Sequence, residues 1–153
     1  MEINFIEGKN ALCSIIIEQT KNYEKRMVYI PENNEFIESE HNSLFFVRKF
    51  DYPYGWIKES GNPPDRHLDI FLISDENYSL GDEVKIKVIG CFVRKDNDNK
   101  FVGIIPEREE TTLMELPEKE RTELFKLYPR IDEGEGWFGN SVANKLLEEW
   151  KVK

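Results

Sequence analysis

Asp96 and Asp98 stand two residues apart in "RKDNDNK" (94–100), and Lys100 follows two further on. In an extended segment, alternate residues project to the same side. The run can therefore present two carboxylates and an ammonium together: oxygen donors for a hard cation such as magnesium, with a lysine to meet phosphate. The plainer alternative is a solvated hairpin turn, where Asp and Asn are favoured. Asp69 poses a sharper question. It lies in "RHLDIFLI" (66–73), whose two alternating faces, Leu68/Ile70/Leu72 and Asp69/Phe71/Ile73, are both largely apolar. An isolated buried carboxylate costs several kcal/mol unless it is paired, neutralised or metal-bound. Glu18 closes the apolar run "LCSIIIE" (12–18) with the same character. Arg66 cannot act as a general base, but it can bind phosphate bidentately or pair with Asp69 or Asp96. His67 is expected to hydrogen-bond rather than to ligate a metal.

These residues need elements to hold them. Strands are expected at 12–18, at 23–30 after a short polar turn, at 43–50 ("SLFFVRKF"), at 67–73 and at 83–93 ("EVKIKVIGCFV"). The segment 101–106 then makes a hairpin with 83–93. Further on, the period changes. "LPEKERTELFKLYP" (116–129) places Pro117 at a first helical position. "NSVANKLLEEW" (140–150) starts on a capping Asn and carries an apolar stripe through Val142, Ala143, Leu146, Leu147 and Trp150. Short strands followed by two terminal helices indicate an α+β chain: a compact barrel or sandwich with helices packed outside.

The totals set limits. With 153 residues the chain is most simply one domain. Its formal charge of −9 argues against nucleic acid or an anionic membrane as the main partner, and fits divalent cations or a basic protein. No apolar run approaches the ~20 residues of a membrane span, and the N-terminus lacks secretory-signal character, so a cytoplasmic location is expected. Cys13 and Cys91 are expected to be buried free thiols. Trp56, Trp137 and Trp150 are expected in packing roles, and His41 in a solvated loop.

The order of segments resembles the soluble inorganic pyrophosphatases of the family I type. "YPYGWI" (52–57), "HLDIFLI" (67–73), "LGDEVKIKVIGCFVRKDNDNKFVGIIP" (80–106) and the two helical segments, with "GEGWFGN" between them, carry the likeness over roughly residues 12–150. The resemblance implies a five-stranded OB-like β-barrel with two C-terminal helices outside, as a single domain over 1–153. It also implies Mg2+ (or Mn2+) as cofactor, pyrophosphate or another phosphoanhydride as substrate, and homo-oligomers. Position by position, Asp69, Asp96 and Asp98 match metal ligands. Glu18 and Glu24 match acids of the first hairpin, Tyr54 and Tyr128 match tyrosines of the phosphate side, and Lys100 matches a phosphate lysine.

The departures are equally specific. Pro64 and Arg66 fall where the signature carries its first two aspartates, and Asp65 sits one position off. Asn22 and Pro129 replace lysines. The arginine of the early barrel has only Arg26 and Arg48 as candidates. The resemblance thus implies a diverged magnesium-dependent phosphoanhydride hydrolase, with Arg66 standing in for lost contacts. Two alternatives stay open: a non-catalytic, immunity-type acidic module for a basic protein partner, and a binder of phosphate ligands.

Overall fold

The computed structural model describes residues 4–5 and 10–152. In chain order the elements are β1 (Asn4–Phe5), β2 (Ala11–Gln19), β3 (Lys25–Ile30), β4 (Glu35–Asn42), α1 (Leu44–Val47), β5 (Tyr54–Ile57), β6 (Asp69–Leu72), β7 (Glu83–Val93), β8 (Lys100–Ile104), α2 (Glu118–Phe125), β9 (Gly136–Gly139) and α3 (Asn140–Val152). Strands β2, β5, β6, β8 and β7 hydrogen-bond in that order, and β7 returns to β2. The ring is closed and mixed: β6 and β8 run parallel, while the other ring pairs are antiparallel. This is the OB-like five-stranded barrel that the sequence predicts, with α2 and α3 outside it. Closure removes the free sheet edges that an open sheet would expose.

The two-faced character of residues 68–73 explains how the layers assemble. Ile70 and Leu72 join Ile15, Ile17, Ile57, Ile86 and Phe101 in one core cluster, into which α3 inserts Ala143 and Leu147. Phe71 and Ile73 face the other way, into a second cluster with Phe50, Ile89, Val102 and Leu124 of α2. A strand covered on both faces reads as a continuous apolar run rather than as an alternation. At the β2–β5 seam only glycine fits, because a Cβ on Gly55 would stand 1.9 Å from the Ile16 carbonyl oxygen. The neighbouring Tyr54 packs against the second cluster.

Several expectations need correction. Residues 43–50 do not form a strand. They hold the one-turn helix α1, and the chain reverses at Lys49 with φ +56°. The preceding strand, β4, lies in a stretch assigned no element from sequence. β3 does not pair with β2; it pairs with β4 in a separate two-stranded sheet. The first terminal helix is shorter than 116–129, and Pro117 is its N-cap rather than its first helical residue. The hairpin of 83–93 with the following strand forms as expected.

Candidate functional site

Register determines which charged groups meet. The parallel β6–β8 ladder sets Asp69 directly opposite Lys100, and β7–β8 sets Lys100 opposite Phe92. Lys100 Nζ donates to Asp69 Oδ2 at 2.7 Å, lies 3.3 Å from both Asp98 carboxylate oxygens and reaches Tyr54 Oη at 3.4 Å. The other Asp69 oxygen meets His67 Nε2 at 3.2 Å, and the Asp65 carbonyl oxygen holds His67 Nδ1 at 2.7 Å. Asp69 is therefore clamped between two cationic side chains. Burial works to raise its carboxyl pKa, but the His67 hydrogen bond and the Lys100 ammonium outweigh burial and hold it below the usual range. Burial likewise works against the charge on Lys100, yet Asp69 keeps its pKa above the ordinary lysine value. His67 is raised chiefly by its hydrogen bond to Asp69.

Asp96 is held elsewhere. Its carboxylate pairs with Arg94 at 3.1 Å, and its Oδ1 accepts the Asp98 backbone N–H at 3.0 Å. A second Arg94 nitrogen lies 3.9 Å from Asp98. Between Asp96 and Asp98, Asn97 takes a left-handed conformation with φ +64°, so the run is a tight turn rather than an extended strand.

Of these groups, Tyr54, Arg94, Asp98 and Lys100 open onto a cavity of about 280 Å³. Its cationic lining is Arg26, Arg94 and Lys100, and its acids are Glu18 and Asp98; Tyr54 and Tyr128 contribute phenols. Burial, and then the Asp69 charge, push the Glu18 carboxyl up to about 7, against the opposing pull of His67, Arg26 and Lys100. Near neutrality the lining thus has three cations with Asp98 and a partly ionised Glu18, while Asp69 and Asp96 pair with Lys100 and Arg94 from outside the lining, inside a chain of net charge −9. Tyr54 is raised well above the ordinary phenol by burial and by Asp69, and Tyr128 is raised by burial. Both stay protonated as donors. Tyr128 is held by stacking on Phe92, with ring centres 4.1 Å apart and planes within 6°. Tyr54 packs against Phe45 and Phe71.

Of the residues singled out from sequence, the structure brings Glu18, Tyr54, Asp69, Asp98, Lys100 and Tyr128 together. It leaves three outside. Glu24 is exposed, and no side-chain partner is found for it among the described residues; its backbone carbonyl takes the Ser43 N–H at 2.8 Å. Asp96 faces Arg94. Arg66 pairs with neither Asp69 nor Asp96: its guanidinium lies 3.2 Å from the centroid of the Trp150 ring, beside a separate cavity lined by Leu68, Phe101 and Leu146. The partners proposed for it are taken by His67 and Arg94. The structure also separates the two early-barrel arginines. Arg26 lines the cavity, whereas Arg48 binds the Leu127 carbonyl at 2.8 Å. Arg94 was not singled out, although its spacing of two and four residues from Asp96 and Asp98 was the available signal.

A magnesium ion does not fit this donor set as it stands. Both oxygens of Asp69 are engaged by cationic groups, the ammonium of Lys100 fills the space between Asp69 and Asp98, and Asp96 is tied to Arg94. Among the described residues no group of three or more His, Cys, Asp or Glu side chains is arranged to hold a metal ion.

A closed mixed barrel with outer helices and a cavity lined by cations, acids and tyrosines defines the class: an OB-like α+β protein with a polar cavity. The comparisons specify the fold further, as that of the inorganic pyrophosphatases. An inorganic pyrophosphatase from Neisseria gonorrhoeae superposes with a TM-score of 0.70 at 17% identity, covering 99% of this chain and 96% of that one. The enzyme from Ehrlichia chaffeensis gives 0.67 at 17% identity, covering 97% of each chain. That from Thermus thermophilus gives 0.63 at 17% identity, over 99% and 92%. By sequence, no family model and no curated protein matches the chain. No helix among the described residues is long and apolar enough to cross a membrane.

Proposed function

We propose that this is a phosphate-ligand-binding protein built on the pyrophosphatase fold, whose cavity grips a phosphoryl group through Arg26, Arg94, Lys100 and the two phenols. One observation carries the reading: Arg26, Arg94 and Lys100 converge with the phenols of Tyr54 and Tyr128 on one cavity of a strongly acidic chain. Guanidinium and ammonium donors with phenolic hydroxyls are the groups that recognise phosphate oxygens. The same lining disfavours a basic protein partner at this site. The likeness to the pyrophosphatases supports phosphate chemistry. The engagement of Asp69, Asp96 and Asp98 by Lys100, His67 and Arg94 weighs against magnesium-dependent turnover as the main activity.

Hydrolysis of a phosphoanhydride is the second reading, and Glu18 favours it. A carboxyl with a pKa of about 7 beside a phosphate pocket is suited to move a proton near neutral pH.

Two measurements on the full chain separate these readings. Calorimetry with inorganic phosphate and diphosphate, without metal, should give binding that Arg94→Ala weakens at least tenfold. Phosphate release from diphosphate, with magnesium or manganese, should stay at background. Metal-dependent release that Asp69→Asn abolishes would establish the hydrolase instead. Absence of binding in folded protein, with and without metal, would remove the phosphate reading altogether.

A further inference from the structure

The cavity lining combines charged and apolar groups. The β7–β8 hairpin supplies Arg94, Asp98 and Lys100. β3 and α1 supply Met27, Leu44 and Phe45, with Arg26 beside Met27 on β3. Met27 is buried. Phe45 continues the aromatic wall, with its ring centre 4.7 Å from that of Tyr54 and 5.6 Å from that of Phe71. Leu44 lines the cavity while 46% exposed, and on the same turn Phe46 and Val47 are exposed to 40% and 61%. Three large apolar side chains on one solvent-facing turn are not accounted for by core packing. An inorganic phosphate or diphosphate, hydrated on every side, gains nothing from such a wall.

Resting on the phosphate reading above, we propose that the ligand is an organic phosphate: a phosphate ester or substituted diphosphate whose carbon portion lies on Met27, Leu44 and Phe45. The phosphoryl end meets Arg94, Lys100, Tyr54 and Tyr128. The organic end leaves along α1. At about 280 Å³ the cavity is close to the lower end of the size range of small-molecule sites, roughly 300 Å³. A tenfold preference for the organic ligand needs only about 55 Å² of apolar surface removed from water. The Leu44 side chain and part of the Phe45 ring supply that.

The test compares matched pairs by calorimetry on the full chain: inorganic phosphate with phenyl phosphate, and inorganic diphosphate with adenosine diphosphate. The expected result is at least tenfold tighter binding of each organic member. Leu44→Gln should reduce that preference, and Leu44→Gln with Met27→Ala should abolish it, since neither replacement alters a charge that meets the phosphoryl end. Equal affinity for organic and inorganic members would overturn this inference and leave phosphate binding standing. So would a preference that survives Leu44→Gln and Met27→Ala together. Binding of none of the four compounds, in folded protein, would overturn both.

Discussion

Asp69→Asn tests the central arrangement, because Asp69 is a single acceptor shared by two cations. The wild-type side chain, 14% exposed, holds Lys100 at 2.7 Å and His67 at 3.2 Å. Removing one partner of a buried ion pair commonly costs about 3–5 kcal/mol, since the remaining charge loses its compensation. Here the loss is moderated: Lys100 keeps Asp98 and the Tyr54 hydroxyl, and His67 can shed its proton. The expected cost below the ordinary histidine pKa of 6.5 is about 3 kcal/mol, roughly 6–12 °C in Tm for a chain of this size.

The sign of the pH dependence follows from His67. Its folded pKa is raised, so its contribution is fully present below 6.5 and is lost as the pH rises through the folded value. At alkaline pH only the Lys100 part should remain, a cost lower by about 1 kcal/mol given the partial exposure of the imidazole. Glu18, which also faces Asp69, titrates in the same range. Urea unfolding of wild type, Asp69→Asn, His67→Gln and the double variant, at mildly acidic and alkaline pH, isolates the pair from that background. A cost under about 1 kcal/mol at acidic pH, or a coupling between 67 and 69 that is identical at both pH values, would refute the clamp.

Other expectations follow from the same geometry. Glu18 has its carboxyl raised from 4.5 to about 7, so the folded state keeps a proton that the unfolded state releases; stability therefore falls as the pH rises across this interval. Glu18→Gln should flatten the fall and make the protein more stable than wild type by up to about 3 kcal/mol above neutrality, measured by denaturant titration. Gly55→Ala places a methyl group 1.9 Å from the Ile16 carbonyl oxygen, so the β2–β5 pairing must part; a loss above about 3 kcal/mol is expected, read from thermal unfolding. Cys13 and Cys91 are both buried, and burial pushes both thiols up, Cys91 to about 12. Native protein should leave a thiol reagent unreacted at neutral pH, with two thiols titrating after denaturation.

Much of this was legible from sequence, and the remainder failed for physical reasons. β2, β6, β7 and β8 announce themselves because they are buried on both faces or nearly so, and α3 through its apolar stripe. β4, "EFIESEHN", gave no signal because almost all of it is solvated, so its alternation carries no apolar face. "SLFFVRKF" has the composition of a strand, yet the Phe50 N–H turns back to the Phe45 carbonyl at 2.7 Å and the segment becomes a single helical turn. Tertiary context overrode propensity there. At the site, residue types could be read but partners could not. Asp69 and Lys100 meet through a parallel register between strands 31 residues apart, which no local pattern encodes.

Set against the pattern that the sequence resembles, the charges of the site differ at one place. Where the pyrophosphatase pattern carries two aspartates ahead of Asp69, this chain has Pro64 and Arg66, and the neighbouring Asp65 is exposed. Several carboxylates facing one another repel unless cations lie between them, whereas a lone carboxylate can be balanced by side chains alone. In this chain Lys100 and His67 balance Asp69, and Arg94 balances Asp96. Arg26, Arg94 and Lys100 then line the cavity beside Asp98 and a Glu18 that retains its proton up to about neutral pH. Cationic donors facing a cavity can receive an anion. Adding acids to this loop should oppose that: Pro64→Asp with Arg66→Asp makes loop 61–67 three charges more negative and would lower affinity for inorganic phosphate measured without metal. Unchanged or tighter phosphate binding in that variant would show that loop 61–67 does not set the charge of the cavity.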